Sequence, residues 1–448
     1  MSAYLKIFTV GFVGLILVII LNLVIDPYGI YNLFRWPGVN TTKPVMQDHE
    51  KLVKAFLTAR LKPEAVALGT SRADFAIDPQ HPSWGDVAPR FNLALAGGST
   101  YVTRRFLEHV LTSGRLRKVV MGLDFFAFNA IRAIASDYTD SVLAVQDNGA
   151  PNPSHLWNII VTTTLSRSAI DDTVKTLQAD ASAAIQVIDP VTGMRRFSIG
   201  GKPIDTRELQ SRLQKTSPEQ GALIRFNAME ELYLRHVYLA GTEREFSFEN
   251  PVTGNSSLRE FRHIVQLCRQ HQIDCDFFIS PPHARQMEVI RAIGLWPLFE
   301  QWKRELVSII QEEGAEKRFP LWDFSGYNSI TTKDVPRDSR MREYLDSTHY
   351  SPFVGDMILT RMLDGGESVP QPPADFGVRL TSANIEQTLS ADRKRQAAYH
   401  RSHPEDVRAI ESLAEKFGFN PEFVVFSGAP RINRARAYRE KPPSPRSD

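Results

Sequence analysis

Residues 65–72 read AVALGTSR. The first four are apolar without interruption, with Pro63 before them and Gly69 after, which is the pattern of a short strand covered on both faces in a parallel sheet. Ser71 then sits just past the carboxyl end of that strand, where open α/β sheets bind ligands. A serine hydroxyl is a poor nucleophile at neutral pH; it needs an imidazole to take its proton and a carboxylate to orient that imidazole. Residues 344–351, YLDSTHYS, offer both, with Asp346 three positions before His349.

Outward from this strand the chain alternates. A helix is predicted near His49–Ala59 ahead of it. Arg90–Leu95 and Lys118–Leu123 read as the second and third strands, separated by a helix that Ser99 caps and whose Val102, Phe106, Val110 and Leu111 recur at helical spacing. Ser257–Gln270 reads as an amphipathic helix, Asp276–Ile279 as a fourth strand, Gln286–Glu313 as a long helical segment kinked at Pro297, and Phe319–Trp322 as a fifth strand. Asp323, before Phe324, Ser325 and Gly326, reads as a turn residue. The alternation predicts an α/β fold on a doubly wound, mainly parallel sheet. From about residue 129 to 255 it breaks, with no strand run as convincing as those on either side. This stretch is expected to be a largely helical insertion, serving either as a substrate wall or lid or as structural decoration.

The amino terminus bears on compartment. Ile7–Ile25 is a nineteen-residue stretch without a charge, long enough as a helix to cross a hydrocarbon core of about 30 Å. The reading is an uncleaved transmembrane signal anchor; the alternative, a cleaved signal peptide, lacks an A-x-A site before Asp26. Lys6 before the span and Asp26 after it favour a cytoplasmic amino terminus, which in a bacterial chain means the inner membrane with the remainder in the periplasm. The expected divisions are an anchor at 1–28, an α/β domain at 29–366 and a helical extension at 367–430. The extension holds predicted helices at Ile385–Tyr399, capped by Ser382, and at Pro404–Phe417. A basic, Pro-rich tail at 431–448 is expected to be disordered.

Of the 448 residues, 42% are hydrophobic and 23% charged, an ordinary globular balance. The net charge of +2 creates no field that would draw nucleic acid. The two cysteines, Cys268 and Cys275, lack the spacing of a zinc site. They read as two small buried residues, with a disulfide allowed in an oxidising compartment. Neither a metal nor a cofactor is expected.

Taken together, these blocks resemble the SGNH (GDSL-type) hydrolases, and within them the membrane-anchored cell-envelope branch that includes the alginate O-acetyltransferase-like proteins. The resemblance runs from Ala65 to Leu363. It implies a flavodoxin-like sheet of five strands, with Gly69, Thr70 and Ser71 as the turn that carries the nucleophile and Asp346 and His349 as its acid and base. It implies an oxyanion hole formed by the backbone N–H groups of Ser71 and of Gly97 or Gly98, from the stretch NLALAGGST. The family's third block, G-x-N-D, is represented by Gly122, Leu123 and Asp124, and an ionised carboxylate does not donate a hydrogen bond as the family's asparagine does. Asp124 and His283, the latter from SPPHARQ, are candidates for positioning substrate, with helix capping as the alternative for His283. The implied activity is that of a serine esterase or O-acyltransferase acting on a cell-envelope or secreted polysaccharide, with an acyl-ester substrate and a membrane-embedded acyltransferase partner. The departure at Asp124 carries the competing expectation of a catalytically inactive scaffold that binds a glycan or an envelope assembly partner.

Overall fold

A computed structural model describes residues 2–204, 221–239, 245–314, 319–337, 339, 341–363 and 370–419. Its strands are β1 (Ala65–Leu68), β2 (Arg90–Asn92), β3 (Lys118–Leu123), β4 (Ala184–Ile188), β5 (Arg195–Ile199), β6 (Lys202–Ile204), β7 (Asp274–Ile279), β8 (Leu321–Asp323) and β9 (Val378–Leu380). The main sheet runs β2-β1-β3-β7-β8-β9. Its first five strands are parallel, in the 2-1-3-4-5 order of doubly wound sheets. The sixth, β9, pairs antiparallel with β8.

Both faces of this sheet are buried, and the two-residue repeat divides its side chains between two cores. Val66, Leu68, Val119, Met121, Leu123, Phe277 and Ile279 enter one core, together with Phe106, Phe261 and Trp302 from the helices Thr100–Leu111, Ser257–Gln270 and Trp296–Glu312. Ala65, Ala67, Val120 and Phe278 enter the other. The small side chains there admit two helices at close range, Ser71–Ala76 and Pro352–Met362. Gly355 is required by this approach, since a Cβ at that position would lie 2.0 Å from the Ala76 carbonyl oxygen. The packing thus presses the chain just after His349 against the helix that begins with Ser71.

Several expectations need correction. The stretch 129–255, expected to be largely helical, holds a sheet as well as helices. β4, β5 and β6 form a three-stranded antiparallel sheet, turned at Gly193 and at Gly200 and Gly201, all with positive φ. These strands are short and half-exposed, so they lack the apolar run that marks a buried strand. The main sheet has a sixth strand because β9, only three residues long, closes its edge beyond β8. Cys268 and Cys275 are disulfide-bonded, with Cα atoms 6.6 Å apart. The segment from 284 to 312 is two helices, Ala284–Ala292 and Trp296–Glu312, rather than one kinked helix, with Pro297 in the first turn of the second. Asp323 serves the expected turn, accepting the Ser325 N–H at 3.0 Å, but it also ends β8, buried, and accepts from Lys303 Nζ at 2.7 Å. Asn384, rather than Ser382, sits at the cap position of the helix Ile385–Ser402.

The helices Ile385–Ser402 and Pro404–Lys416 pack against Ala284–Ala292 through Arg291–Glu411 (2.8 Å) and His400–Glu288 (3.0 Å). Residues 431–448 lie outside the described residues.

A test of stability arises at Asp276, whose carboxyl burial pushes from 3.8 up to about 6, with Lys118 pulling the other way. A folded pKa above the unfolded one gives stability that is full below pH 4 and lost as the pH rises through about 6. Asp276→Asn should therefore stabilise the protein by about 1–2 kcal/mol at pH 8 and leave it unchanged near pH 4. Denaturant unfolding at the two pH values checks this.

Candidate active site

The turn after β1 is built around Gly69. Its φ is +143°, and a Cβ there would meet Ala73 Cβ at 2.9 Å and the Gly122 carbonyl oxygen at 3.1 Å. Glycine at this position lets the chain leave the strand and enter the helix Ser71–Ala76 at once. Ser71 opens that helix at the carboxyl edge of the sheet, and its N–H, like the others of a first helical turn, has no intrahelical acceptor.

His349 and Asp346 come from the loop ahead of Pro352. Tyr344 and Tyr350 pair across the loop's base, Leu345 N–H donates to the His349 carbonyl at 2.9 Å, and Ser351 N–H donates to the Glu343 carbonyl at 2.8 Å. Ser71 Oγ lies 2.9 Å from His349 Nε2. On the far side of the ring, His349 Nδ1 lies 2.8 Å from Asp346 Oδ2. Asp346 Oδ1 also accepts the N–H groups of Thr348 at 2.9 Å and of His349 at 2.8 Å. Burial pushes the Asp346 carboxyl up, but the His349 ring and these two amides outweigh it and hold the carboxyl below its ordinary value. The carboxylate therefore stays ionised and fixes Nδ1 as the protonated nitrogen, leaving Nε2 to accept from Ser71. The side chains of His349 and Asp346 are each 13% exposed, so solvent or substrate reaches the pair.

The Gly97–Gly98 loop sits beside this turn, with Leu95 N–H donating to the Gly69 carbonyl at 2.9 Å. Gly98 N–H is engaged with the Leu95 carbonyl at 3.0 Å, so Gly97 is the better candidate of the two for a second oxyanion donor.

Asp124 and His283 are engaged by neighbouring protein groups. Asp124 lies past the end of β3, buried, where it accepts from Thr70 Oγ1 at 2.6 Å and from Arg72 Nη1 at 2.8 Å. Burial works against the Arg72 charge, yet Asp124 more than offsets it and Arg72 stays ionised. Arg72 also donates through Nε to Thr348 Oγ1 at 2.9 Å, so the pair ties the turn after β1 to the loop that carries His349. His283 caps the helix Ala284–Ala292, accepting from Arg285 N–H at 3.2 Å, and its Nε2 lies 2.7 Å from the Lys333 carbonyl. Burial pulls its imidazole down to about 4, which keeps it neutral. Both side chains hold the frame around the site through these bonds.

Beneath the site lies a buried network of four charges that sequence reasoning missed. Lys54 Nζ donates to Asp74 Oδ1 at 2.7 Å, and Arg195 reaches Asp74 Oδ2 and Glu50 Oε1 at 2.8 Å each. Glu50 Oε2 accepts the Ala96 N–H at 2.7 Å, and Lys54 also binds the Ala94 carbonyl. Burial pushes Glu50 up, but Arg195 and Lys54 outweigh it and hold the carboxyl low; Asp74, sharing the same cations, is pushed up by burial. The network joins the helix of Ser71 to the chain just before Gly97. No local signal announced it, since a Glu-Lys pair four apart on a helix is ordinarily solvated and Arg195 is 121 residues from Asp74. The second sheet reaches the site as well, with Phe197 of β5 stacked on Phe75, whose ring meets His349 edge-on at 5.5 Å.

No protein-family model matches the chain, and no curated protein shows significant sequence similarity to it. A solved structure from Streptococcus pneumonia, provisionally described as a platelet activating factor, aligns at 11% identity over 71% of this chain and 91% of that one. Its TM-score of 0.27 is too low for the likeness to carry any inference.

Proposed function

We propose that this protein is a membrane-anchored serine esterase or O-acyltransferase of the SGNH type. The observation that carries the reading is the hydrogen-bonded chain from Ser71 through His349 to Asp346. In the proposed reaction Ser71 Oγ attacks an ester carbonyl while His349 Nε2 takes its proton, and the Asp346 carboxylate stabilises the resulting imidazolium. The N–H groups of Ser71 and Gly97 receive the oxyanion. His349 then protonates the departing alcohol, leaving an acyl-serine that either water or a sugar hydroxyl resolves. Resemblance to the envelope branch favours an acetylated cell-envelope or secreted polysaccharide as substrate. A membrane-embedded acyltransferase would be the acyl source.

The helix Ser2–Ile25 supports the anchor. It includes a 23-residue stretch, Ala3–Ile25, with an 18-residue window of mean hydropathy 2.8, and is the only helix among the described residues long and apolar enough to cross a membrane, although a signal sequence passes the same test. The disulfide fits an oxidising compartment such as the periplasm.

Turnover of 4-nitrophenyl acetate, with and without an oligosaccharide acceptor, tests the reading. Nitrophenol release with acetate as product indicates an esterase, and acetylated sugar indicates a transferase. Absence of turnover by folded protein favours the second reading, an inactive scaffold that binds a glycan or assembly partner. The ion pair of Asp124 with Arg72 favours that reading, because it fills the place of the family's asparagine donor.

A further inference from the structure

Resting on the reading of Ser2–Ile25 as a membrane span, we propose that the domain itself is seated in the bilayer surface through the helical hairpin His155–Leu177 and the loop 33–39. The two helices of the hairpin, His155–Leu165 and Arg167–Leu177, are inverted relative to a soluble surface helix. Toward the protein they bury polar residues, Thr163 (1% exposed), Thr164 (2%), Asp172 and Thr173, alongside Ile159 and Ala169. Outward they expose Leu156, Trp157 (65% exposed) and Leu165, then Ile170, Val174 and Leu177, which recur one helical turn apart, with the exposed charges of Arg167, Asp171 and Lys175 along one edge of the stripe. An apolar stripe bordered by charges suits the boundary between lipid and water.

The buried polar groups show what the hairpin is fastened to. Asn22, near the end of the anchor, donates to the Thr164 carbonyl at 2.9 Å and accepts from Thr173 Oγ1 at 2.7 Å. Tyr31 and Thr163 hydroxyls lie 2.7 Å apart, and Tyr28 OH donates to Asp172 at 3.0 Å. The apolar face is therefore continuous with the anchor. The loop that follows adds exposed Leu33, Phe34 and Trp36, with the rings of Phe34 and Trp36 stacked at 5.3 Å around Arg35. Aromatic and basic side chains together suit the headgroup layer. Asn40 Nδ2 ties this loop to the anchor, donating to the carbonyls of Val24 and Phe34 at 3.0 Å each.

Length gives an independent constraint. The anchor is solvent-facing or half-exposed from Ala3 to Leu21 and buried by protein at Asn22. The uncharged part of this stretch, from Ile7 after Lys6 to Leu21, is fifteen residues and rises about 22 Å, short of the hydrocarbon thickness of about 30 Å. The protein that covers Asn22 therefore begins within the depth of the membrane.

Tryptophan fluorescence tests the seat, because the anchor contains none and Trp36 and Trp157 lie on the proposed lipid face. The full chain is reconstituted into phosphatidylcholine vesicles with or without bromine on the acyl chains. Brominated lipid should quench the wild-type emission, and the Trp36→Phe/Trp157→Phe variant, with folding checked by circular dichroism, should lose most of that quenching. Quenching that is absent in vesicle-bound wild type, or unchanged in the double variant, overturns the seat while leaving the span intact. Protein that fails to float with the vesicles overturns both. Ester turnover reports separately on Ser71, so neither result bears on the proposed chemistry.

Discussion

Replacing Ser71 by alanine is expected to lower acetyl-ester turnover by about 10⁴- to 10⁶-fold, and His349→Ala by a similar factor, because the two act as one unit. The 2.9 Å contact between them is the reason. Without the imidazole the hydroxyl has no acceptor for its proton, and without the hydroxyl the imidazole has nothing to activate. The losses should not add, so the Ser71→Ala/His349→Ala double variant should be no slower than either single one. Asp346→Asn keeps the shape but replaces an acceptor with an amide that donates to Nδ1, turning the ring to the tautomer that cannot accept from Ser71; a loss of about 10⁴-fold is expected. Steady-state kinetics on 4-nitrophenyl acetate measures all four. Multiplicative losses in the double variant would mean that the residues act separately.

The second large effect is on stability. Lys54→Met should destabilise the protein by about 3–5 kcal/mol, the cost of leaving a buried charge uncompensated. Lys54 and Asp74 are both wholly buried, and the four-membered network is neutral as long as both cations are present. Removing Lys54 leaves two carboxylates against Arg195 alone and frees the Ala94 carbonyl from its donor. Lys54→Met/Asp74→Asn restores neutrality and should recover part of the loss, a coupling that a double-mutant cycle resolves. Equal destabilisation of the single and double variants would show that lost packing, not charge, is responsible. Because the network holds Ala96 by Glu50 and the Ser71 helix by Asp74, its disruption should also reduce turnover in protein that remains folded.

Sequence made some of this legible, for physical reasons that can be named. The turn at Ser71 is local: an apolar run, a glycine and a serine fall within seven consecutive positions, 65–71, and burial on both faces leaves an uninterrupted apolar signature. Asp346 and His349 are also local to each other, so their mutual contact was readable while their meeting with Ser71, 278 residues away, was an inference. The pairing of Asp124 with Arg72 was not legible, because the two lie 52 residues apart and meet only in three dimensions. The disulfide was undecidable from spacing, because seven residues across a helix end and a strand start fix no Cα separation. β4, β5 and β9 escaped because edge and half-exposed strands draw their stability from neighbours rather than from their own hydrophobicity.

Mapping a fluorophosphonate adduct by peptide mass spectrometry tests the central claim most directly, since the probe reacts with a serine only when a base has activated it. The account predicts one adduct, on the peptide containing Ser71, and none in His349→Ala. An adduct on a different serine, or none on well-folded wild-type protein, would contradict it.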